Sequence, residues 1–383
     1  MDSSHAEGLA ETLHRSHVAL VTAVPGHGAT QTFTAWQRRT GDPFSFHEEV
    51  AVGMAHGAAL RGHRAAVLLK AHGFLKAANA IADSLAAGTT AGLLYIVFHD
   101  PTGAHSDSIL EIEGAARELN LPVHRPATSA AFSALCEALQ ASEAQGLPHL
   151  VVLDADRATD PAGADPASSA APAVSYERDA ARHVCCPLFA SYQHAVLQAR
   201  CAGQSPDAVE RPVLPTVPAD LPDAYRAPAA RLVPLFEALA QVPRAVTTGD
   251  TTIGTLFCLP PYEAVDLCTY MGGSLPLAAG ALAAGDGPAW AVTGDFGFVA
   301  AGHLGLLEAQ QRGLPLKVVL LHNGTAQATG GQPVPPETVD RVLAGYRDRI
   351  YPLDQPSDPA RCRDALDAAA ARDGLAIVHA DYT

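Results

Sequence analysis

The residues best suited to chemistry lie in one short stretch of the chain. Gly294-Asp295-Phe296-Gly297 is followed, 28 residues after Asp295, by Asn323-Gly324-Thr325. Residues 289–293 before the first group are an apolar run, 299–312 repeat apolar positions with a helical period, and 316–321 read as a buried strand. Strand, glycine-bearing turn, helix and strand make a βαβ unit, in which the two strands are parallel neighbours. Asp295 and Asn323 then fall on the same C-terminal edge of the sheet, the edge at which open α/β sheets bind ligands. A carboxylate, an amide oxygen and a backbone carbonyl, for which Thr325 is the natural candidate, suit a hard cation such as Mg²⁺. That ion keeps few protein ligands and takes the rest from phosphate and water. The helix that starts near Gly297 turns its first amides toward the same place, which favours a diphosphate.

Three further segments carry chemistry-bearing residues beside glycine and small side chains. Phe44-Ser-Phe-His47-Glu48-Glu49-Val50 opens a small-residue helix that runs through Ala59. Tyr270-Met271-Gly272-Gly273-Ser274-Leu275-Pro276 precedes another such helix. Thr248-Gly249-Asp250-Thr251-Thr252 ends a strand and opens a helix, so its amides and hydroxyls form a diphosphate loop.

Taken together, these segments resemble the thiamine diphosphate (ThDP) enzyme superfamily. Its diphosphate motif is Gly-Asp-Gly followed, beyond a helix and a strand, by Asn. Phe296 stands at the motif's third residue, where its second glycine is expected, a departure shared with the indolepyruvate ferredoxin oxidoreductase branch. His47-Glu48, with Gly57 nine residues after Glu48, resembles the pyrimidine-binding domain of the same superfamily. There the glutamate bonds the cofactor's aminopyrimidine. The residues alone do not choose between Glu48 and Glu49. The family spacing selects Glu48 and leaves Glu49 as a solvated or helix-terminal charge. An apolar setting is expected to keep the Glu48 carboxyl protonated, ready to share its proton with the ring nitrogen. Met271 aligns with the apolar wedge that holds the two cofactor rings in a V.

The likeness to the indolepyruvate branch extends along most of the chain. It includes Val24-Pro25-Gly26-His27-Gly28, His99-Asp100-Pro101 with His105-Ser106, the run from Tyr176 to Arg182, Pro187, and Thr329-Gly-Gly-Gln332-Pro333. The last run also resembles phosphonopyruvate and sulfopyruvate decarboxylases. The resemblance implies Asp295, Asn323 and Thr325 as Mg²⁺ ligands. It implies Glu48, Gly249, Asp250, Thr251, Met271, Gly294, Phe296, Gly297, Thr325 and Ala326 as cofactor contacts. The same resemblance implies Glu48 as the catalytic acid. His27, His47, His72 and His322 fall at strand ends expected to face the cofactor, and imidazoles donate or accept near neutral pH. His27 and His72, in glycine-flanked turns, are the pair assigned to catalysis. Lys70 is either a substrate-anion contact or a strand-end charge.

The activity so implied is non-oxidative, ThDP- and Mg²⁺-dependent decarboxylation of a 2-oxo acid of the phosphonopyruvate, sulfopyruvate or arylpyruvate kind, through a thiazolium enamine. The cysteine-rich ferredoxin-like extension of the oxidoreductase branch does not follow the last strand before Thr383. The alternatives are a ThDP-binding subunit of a 2-oxo acid ferredoxin oxidoreductase with a separate iron–sulfur partner, a carboligase of the acyloin or acetohydroxy acid synthase type, and a non-catalytic homologue. Retention of Glu48, Asp295 and Asn323 argues against the last. In the family, the pyrimidine domain of one chain faces the diphosphate domain of another, so a homodimer or homotetramer is expected.

Composition agrees with an α/β enzyme. The chain has 383 residues, 48% hydrophobic but only 6% aromatic, enough for two or three domains packed through small side chains. Its net charge of -15 argues against nucleic-acid binding, which needs a basic footprint. The seven cysteines form no CxxC, so neither zinc-ribbon nor cluster spacing is visible, and a sparse odd count fits reduced thiols in a cytoplasm. No apolar run approaches a membrane span, and Met1-Asp-Ser-Ser-His5 lacks the features of a signal peptide. Strands are expected at 18–24, 65–69, 92–98, 121–124 and 150–153, and again near Ala245, Ala289, Leu316 and Ala376. The expected architecture is two ThDP-binding-fold domains, each a parallel sheet with helices on both faces. Residues 1–157 form the pyrimidine domain and 229–383 the diphosphate domain. The 158–228 segment between them is a linker with a helical segment from Leu188.

Overall fold

The structure, a computed structural model, describes residues 3–155 and 165–383, so the expected domain boundary near 157 and the start of the expected linker lie outside the described residues. The chain forms two compact units, Met1–Glu177 with His194–Val209 and Arg178–Gln193 with Glu210–Thr383.

In the first unit, apolar runs rich in Val, Leu and Ile form a five-stranded sheet. Its strands are β1 (Leu20–Ala23), β2 (Ala65–Lys70), β3 (Leu93–His99), β4 (Val123–His124) and β5 (His149–Asp154). All pairings are parallel, in the order β1-β2-β3-β5-β4. Near-continuous apolar strands belong to parallel sheets covered on both faces. The helices Ser3–Arg15, Ala29–Thr40 and Ala131–Gln145 close one face over a core that includes Phe33, Trp36, Phe98 and Leu135. On the other side Glu48–Leu60 packs on β1 and β2 and against Ala78–Ala87. From Val50 to Leu60 every residue of that helix is buried, which explains its Ala and Gly content. His56, 1% exposed, bonds the Gly88 carbonyl, and burial pushes its imidazole down to about 4 against that bond.

The second unit is a six-stranded parallel sheet. Its strands are β6 (Val246–Gly249), β7 (Leu267–Cys268), β8 (Ala289–Gly294), β9 (Lys317–His322), β12 (Ile350–Leu353) and β13 (Ala376–Asp381), in the order β12-β13-β9-β8-β6-β7. A short antiparallel ribbon joins β10 (Thr325–Ala326) to β11 (Gln332–Pro333). The strands expected near Ala245, Ala289, Leu316 and Ala376 are the four inner ones. The two edges, β7 and β12, were not expected. β12 contains Pro352, which has no amide to donate and is tolerated only at an edge.

β8 and β9 are adjacent and parallel, with Gly294 opposite Leu321, as the βαβ reading requires. The helix between them begins earlier than expected, at Asp295–Gly297. It passes through a π turn at Phe298–Gly302 and continues as His303–Gln311. A nineteen-residue helix, Asp223–Gln241, starts inside the segment expected to be linker. Among the described residues no helix is long and apolar enough to cross a membrane.

Candidate active site

In the second unit, the C-terminal ends of β6, β8 and β9 present the expected residues to one cavity of about 450 Å³. Asp295 begins its helix directly after β8 and is 1% exposed. Its Oδ1 accepts from the Phe296 amide at 2.7 Å, and its Oδ2 accepts from the amides of Asn323 at 3.0 Å and Gly324 at 2.7 Å. These bonds fix the carboxylate and join the end of β8 to the turn after β9. Among the described residues it forms no ion pair. A buried carboxylate is normally paired with a cation or bound to a metal. Three of its roughly four acceptor positions are occupied, which leaves one for such a contact. Asn323 Oδ1 accepts from the Thr325 amide at 3.0 Å and Nδ2 donates to Gln327 Oε1 at 3.1 Å. The amide oxygen keeps a second lone pair. The donor set of one carboxylate, one amide oxygen and neighbouring carbonyls fits a hard divalent cation. Among the described residues no three His, Cys, Asp or Glu side chains converge as a metal cluster, so a softer, ligand-rich site is not built here.

Asp250, expected at the cofactor, lines the same cavity and also braces the loops around it. It is fully buried, and its oxygens are turned to the amides of Thr251 and Gly272 and to the Thr293 hydroxyl, at 2.8, 2.7 and 2.7 Å. Burial pushes its carboxyl up, while the Thr293, Gly272 and Thr251 bonds oppose that. Asp250 therefore ties together the loop after β6, the glycine turn before the helix Ser274–Ala283, and the end of β8. Two glycines make this possible. A Cβ on Gly297 would sit 2.6 Å from Asp250 Oδ2, and Gly272, at φ 83°, would place one 2.6 Å from the Ala301 Cβ. Thr252 caps the turn Ile253–Cys258 by accepting from the Gly254 amide.

Met271 and Phe296 both line the cavity and are 40% and 41% exposed, unusual for large apolar side chains. Gly294, Gly297, Thr251 and Thr325 line it with them, as does Ala326 from the ribbon; Gly249 ends β6 just behind. The sequence reading missed Cys185, Cys186, Leu188, Tyr225 and Arg231, which complete the wall. They come from the 178–232 stretch, where the resemblance rests only on the run ending at Arg182 and on Pro187, so only the folded chain brings them there.

In the first unit, Glu48 is the first residue of its helix and His47 the residue before it, extended at φ -142°. The setting is not the apolar one expected. Lys76 Nζ lies 2.7 Å from Glu48 Oε2, a cationic neighbour that the sequence reading did not anticipate. Gly73 leaves room for the acid, since a Cβ there would lie 3.1 Å from Glu48 Cγ. Glu49 shares Lys76 with Glu48 and also bonds Asn79. Burial pushes its carboxyl up, with Asn79 and Lys76 acting in the opposite direction. Burial and the Glu49 charge push Asp83 up to about 6.

The four strand-end histidines divide. His27 stacks on His105 with ring centroids 3.8 Å apart, and His72 Nε2 lies 3.0 Å from Ser108 Oγ, so both meet the 100–108 loop. His322 instead pairs across the sheet, its Nδ1 3.0 Å from His379 Nε2. Burial and His322 push His379 down.

Residues 248–380 match the family model of the thiamine pyrophosphate enzyme C-terminal TPP-binding domain. No curated protein matches the sequence. Among solved structures, the thiamine diphosphate-dependent 4-hydroxybenzoylformate decarboxylase of Rhodococcus jostii RHA1 aligns with a TM-score of 0.67 at 16% identity, covering 98% of each chain. A protein from Mycobacterium smegmatis assigned as a thiamin diphosphate-dependent enzyme aligns at 0.66 and 14% identity, again over 98% of each chain. At such identities the likeness is one of fold.

Proposed function

We propose that this chain, a member of the thiamine diphosphate enzyme superfamily, is a Mg²⁺-dependent, non-oxidative decarboxylase of 2-oxo acids. The observation that carries this reading is Asp295. It is a buried carboxylate held by three amides, without a cationic partner among the described residues, inside the segment that matches the TPP-binding family. Bound ThDP supplies an electron sink for the pair released as the substrate carboxylate leaves as CO₂.

The chain's own residues hold, orient and protonate. Asp295, the Asn323 amide oxygen and the Thr325 carbonyl would hold Mg²⁺, which would supply positive charge for the diphosphate. Gly249, Thr251, Gly294, Gly297 and Ala326 line the diphosphate path, with Asp250 bracing the loop. Met271 and Phe296 give the cofactor an apolar bed. Glu48 shares a proton with the aminopyrimidine, for which it must leave Lys76. His27 and His72 hold and move protons at the substrate. Residues 1–157 serve the pyrimidine half, 229–383 the diphosphate half, and the working form is a homodimer or homotetramer.

Decarboxylation is tested with ThDP, Mg²⁺ and a panel of 2-oxo acids (phosphonopyruvate, sulfopyruvate, arylpyruvates, pyruvate), with neither ferredoxin nor viologen present. CO₂ release and a matching aldehyde are expected. Strict dependence on an electron acceptor would move the assignment to an oxidoreductase subunit, and a condensation product would make it a carboligase.

A further inference from the structure

Basic side chains and imidazoles gather where β1, β2 and β3 of the first sheet end. Lys70 closes β2, and its stem lies across the turn that follows β1. A Cβ on Gly26 would sit 2.7 Å from Lys70 Cγ and 2.8 Å from Cδ, so glycine is what leaves the lysine its place. The ammonium donates to the His105 carbonyl. The His105 ring covers His27, and His72, just beyond Lys70, meets Ser108. Buried Asp100 holds the loop that carries these partners, accepting from the His105 amide and Ser106 hydroxyl at 2.8 Å each and from the Thr102 hydroxyl at 3.2 Å. Burial pushes the Asp100 carboxyl up, but the bonds from His105, Ser106, Thr102 and Gly103 outweigh it and hold the group well below the usual carboxylate range. Its charge is therefore committed to its own loop. Among the described residues, neither Lys70 nor His72 forms an ion pair. The cluster adjoins Glu48 through Gly73, the residue after His72.

We propose that Lys70, with His27, His72 and His105, forms a subsite for a second anionic group, so that the substrate is a 2-oxo acid bearing a phosphonate, sulfonate or second carboxylate. This rests on the 2-oxo acid reading above. The chemistry distinguishes the two anions of such a substrate. The carboxylate next to the carbonyl departs as neutral CO₂. A cation fixed against it would stabilise the ground state more than the transition state and slow the step. A cation fixed against a charge that survives the reaction binds both states and costs no rate. Lys70, placed by Gly26 and by the Asp100-held loop, is suited to the second task.

The test uses unreactive probes and the protein loaded with ThDP and Mg²⁺. Calorimetric titration compares 3-sulfopropanoate, 3-phosphonopropanoate and succinate with pentanoate, whose tail is uncharged. At least one dianion is expected to bind about tenfold or more tightly than pentanoate, the scale of one charge-assisted contact. The three dianions show which anion fits. Lys70→Gln should bring that ratio close to one, and Lys70→Arg, which keeps the charge, should retain most of it. Equal affinity for pentanoate in the wild type, or an unchanged ratio in a folded Lys70→Gln, overturns the subsite. Should Lys70→Gln fail to fold, His72→Gln decides, because an unchanged ratio there overturns it as well. Turnover is read separately. A dianion preference without CO₂ release from any 2-oxo acid leaves the subsite standing and removes the decarboxylase reading; CO₂ release without that preference does the reverse.

Discussion

The two carboxylates on which the function turns are built in opposite ways. Asp295 is 1% exposed, fixed by three backbone amides, and has no cationic side chain beside it among the described residues. Glu48 is partly exposed, lies against the ammonium of Lys76, and faces the open side of a glycine. A metal ligand gains from rigidity, because the ion sets the geometry it needs. A group that must share a proton gains from freedom to move and to change its charge. Under the proposed function, Asp295 belongs to the scaffold and Glu48 takes part in the reaction.

The strongest way to break this contrast is to neutralise Glu48. Glu48→Gln should lower hydrogen–deuterium exchange at the thiazolium carbon of bound cofactor by roughly 10²- to 10⁴-fold, the usual cost of losing a proton-transfer group, with the fold intact. Glu49→Gln should keep most of the exchange. The reverse pattern would shift the site by one residue.

A buried acid of the first unit beside Glu49 adds to the contrast. Asp83 is pushed up from 3.8 to about 6 by burial and then by the Glu49 charge. Its folded value lies above its unfolded one, so its contribution to stability is present below the unfolded value and lost as pH rises through about 6. Asp83→Asn should therefore stabilise the protein at pH 8 by about 1–2 kcal/mol and flatten the dependence of stability between pH 4 and 6. Urea denaturation across that range reads it; no gain at pH 8 means that Asp83 is solvated.

The smallest effect concerns Lys76, which is half exposed. An ion pair of that kind contributes under about 1 kcal/mol. If it restrains Glu48, Lys76→Met should raise the exchange rate about two- to fivefold. A fall would mean that the lysine assists the acid.

Much of the second site was legible in the sequence because it is local. The β8–helix–β9 unit carries Asp295 and Asn323 on one continuous stretch, and its apolar runs mark both strands. The start of its helix was misjudged by several residues, since the π turn at Phe298–Gly302 has no periodicity to read. β7 has two residues and β12 is broken by Pro352, so neither shows a strand pattern. The family spacing to Gly57 selects Glu48, but Lys76 reaches it from a different helix, and nothing in the order of residues announces that contact. The bracing bonds of Asp250 were hidden for the same reason, because Asp250, Gly272 and Thr293 lie on or just beyond three separate strands. The basic cluster was visible only as scattered histidines and one lysine.

The central claim is that Asp295 holds a cation which in turn holds the cofactor's diphosphate. Calorimetric titration of ThDP, with and without Mg²⁺, into the wild type and Asp295→Ala tests it most directly. The account predicts tight binding to the wild type only when Mg²⁺ is present, with a rise in melting temperature by mass action, and loss of that Mg²⁺-dependent binding in Asp295→Ala. ThDP binding that is the same in both proteins, or indifferent to Mg²⁺, would contradict it.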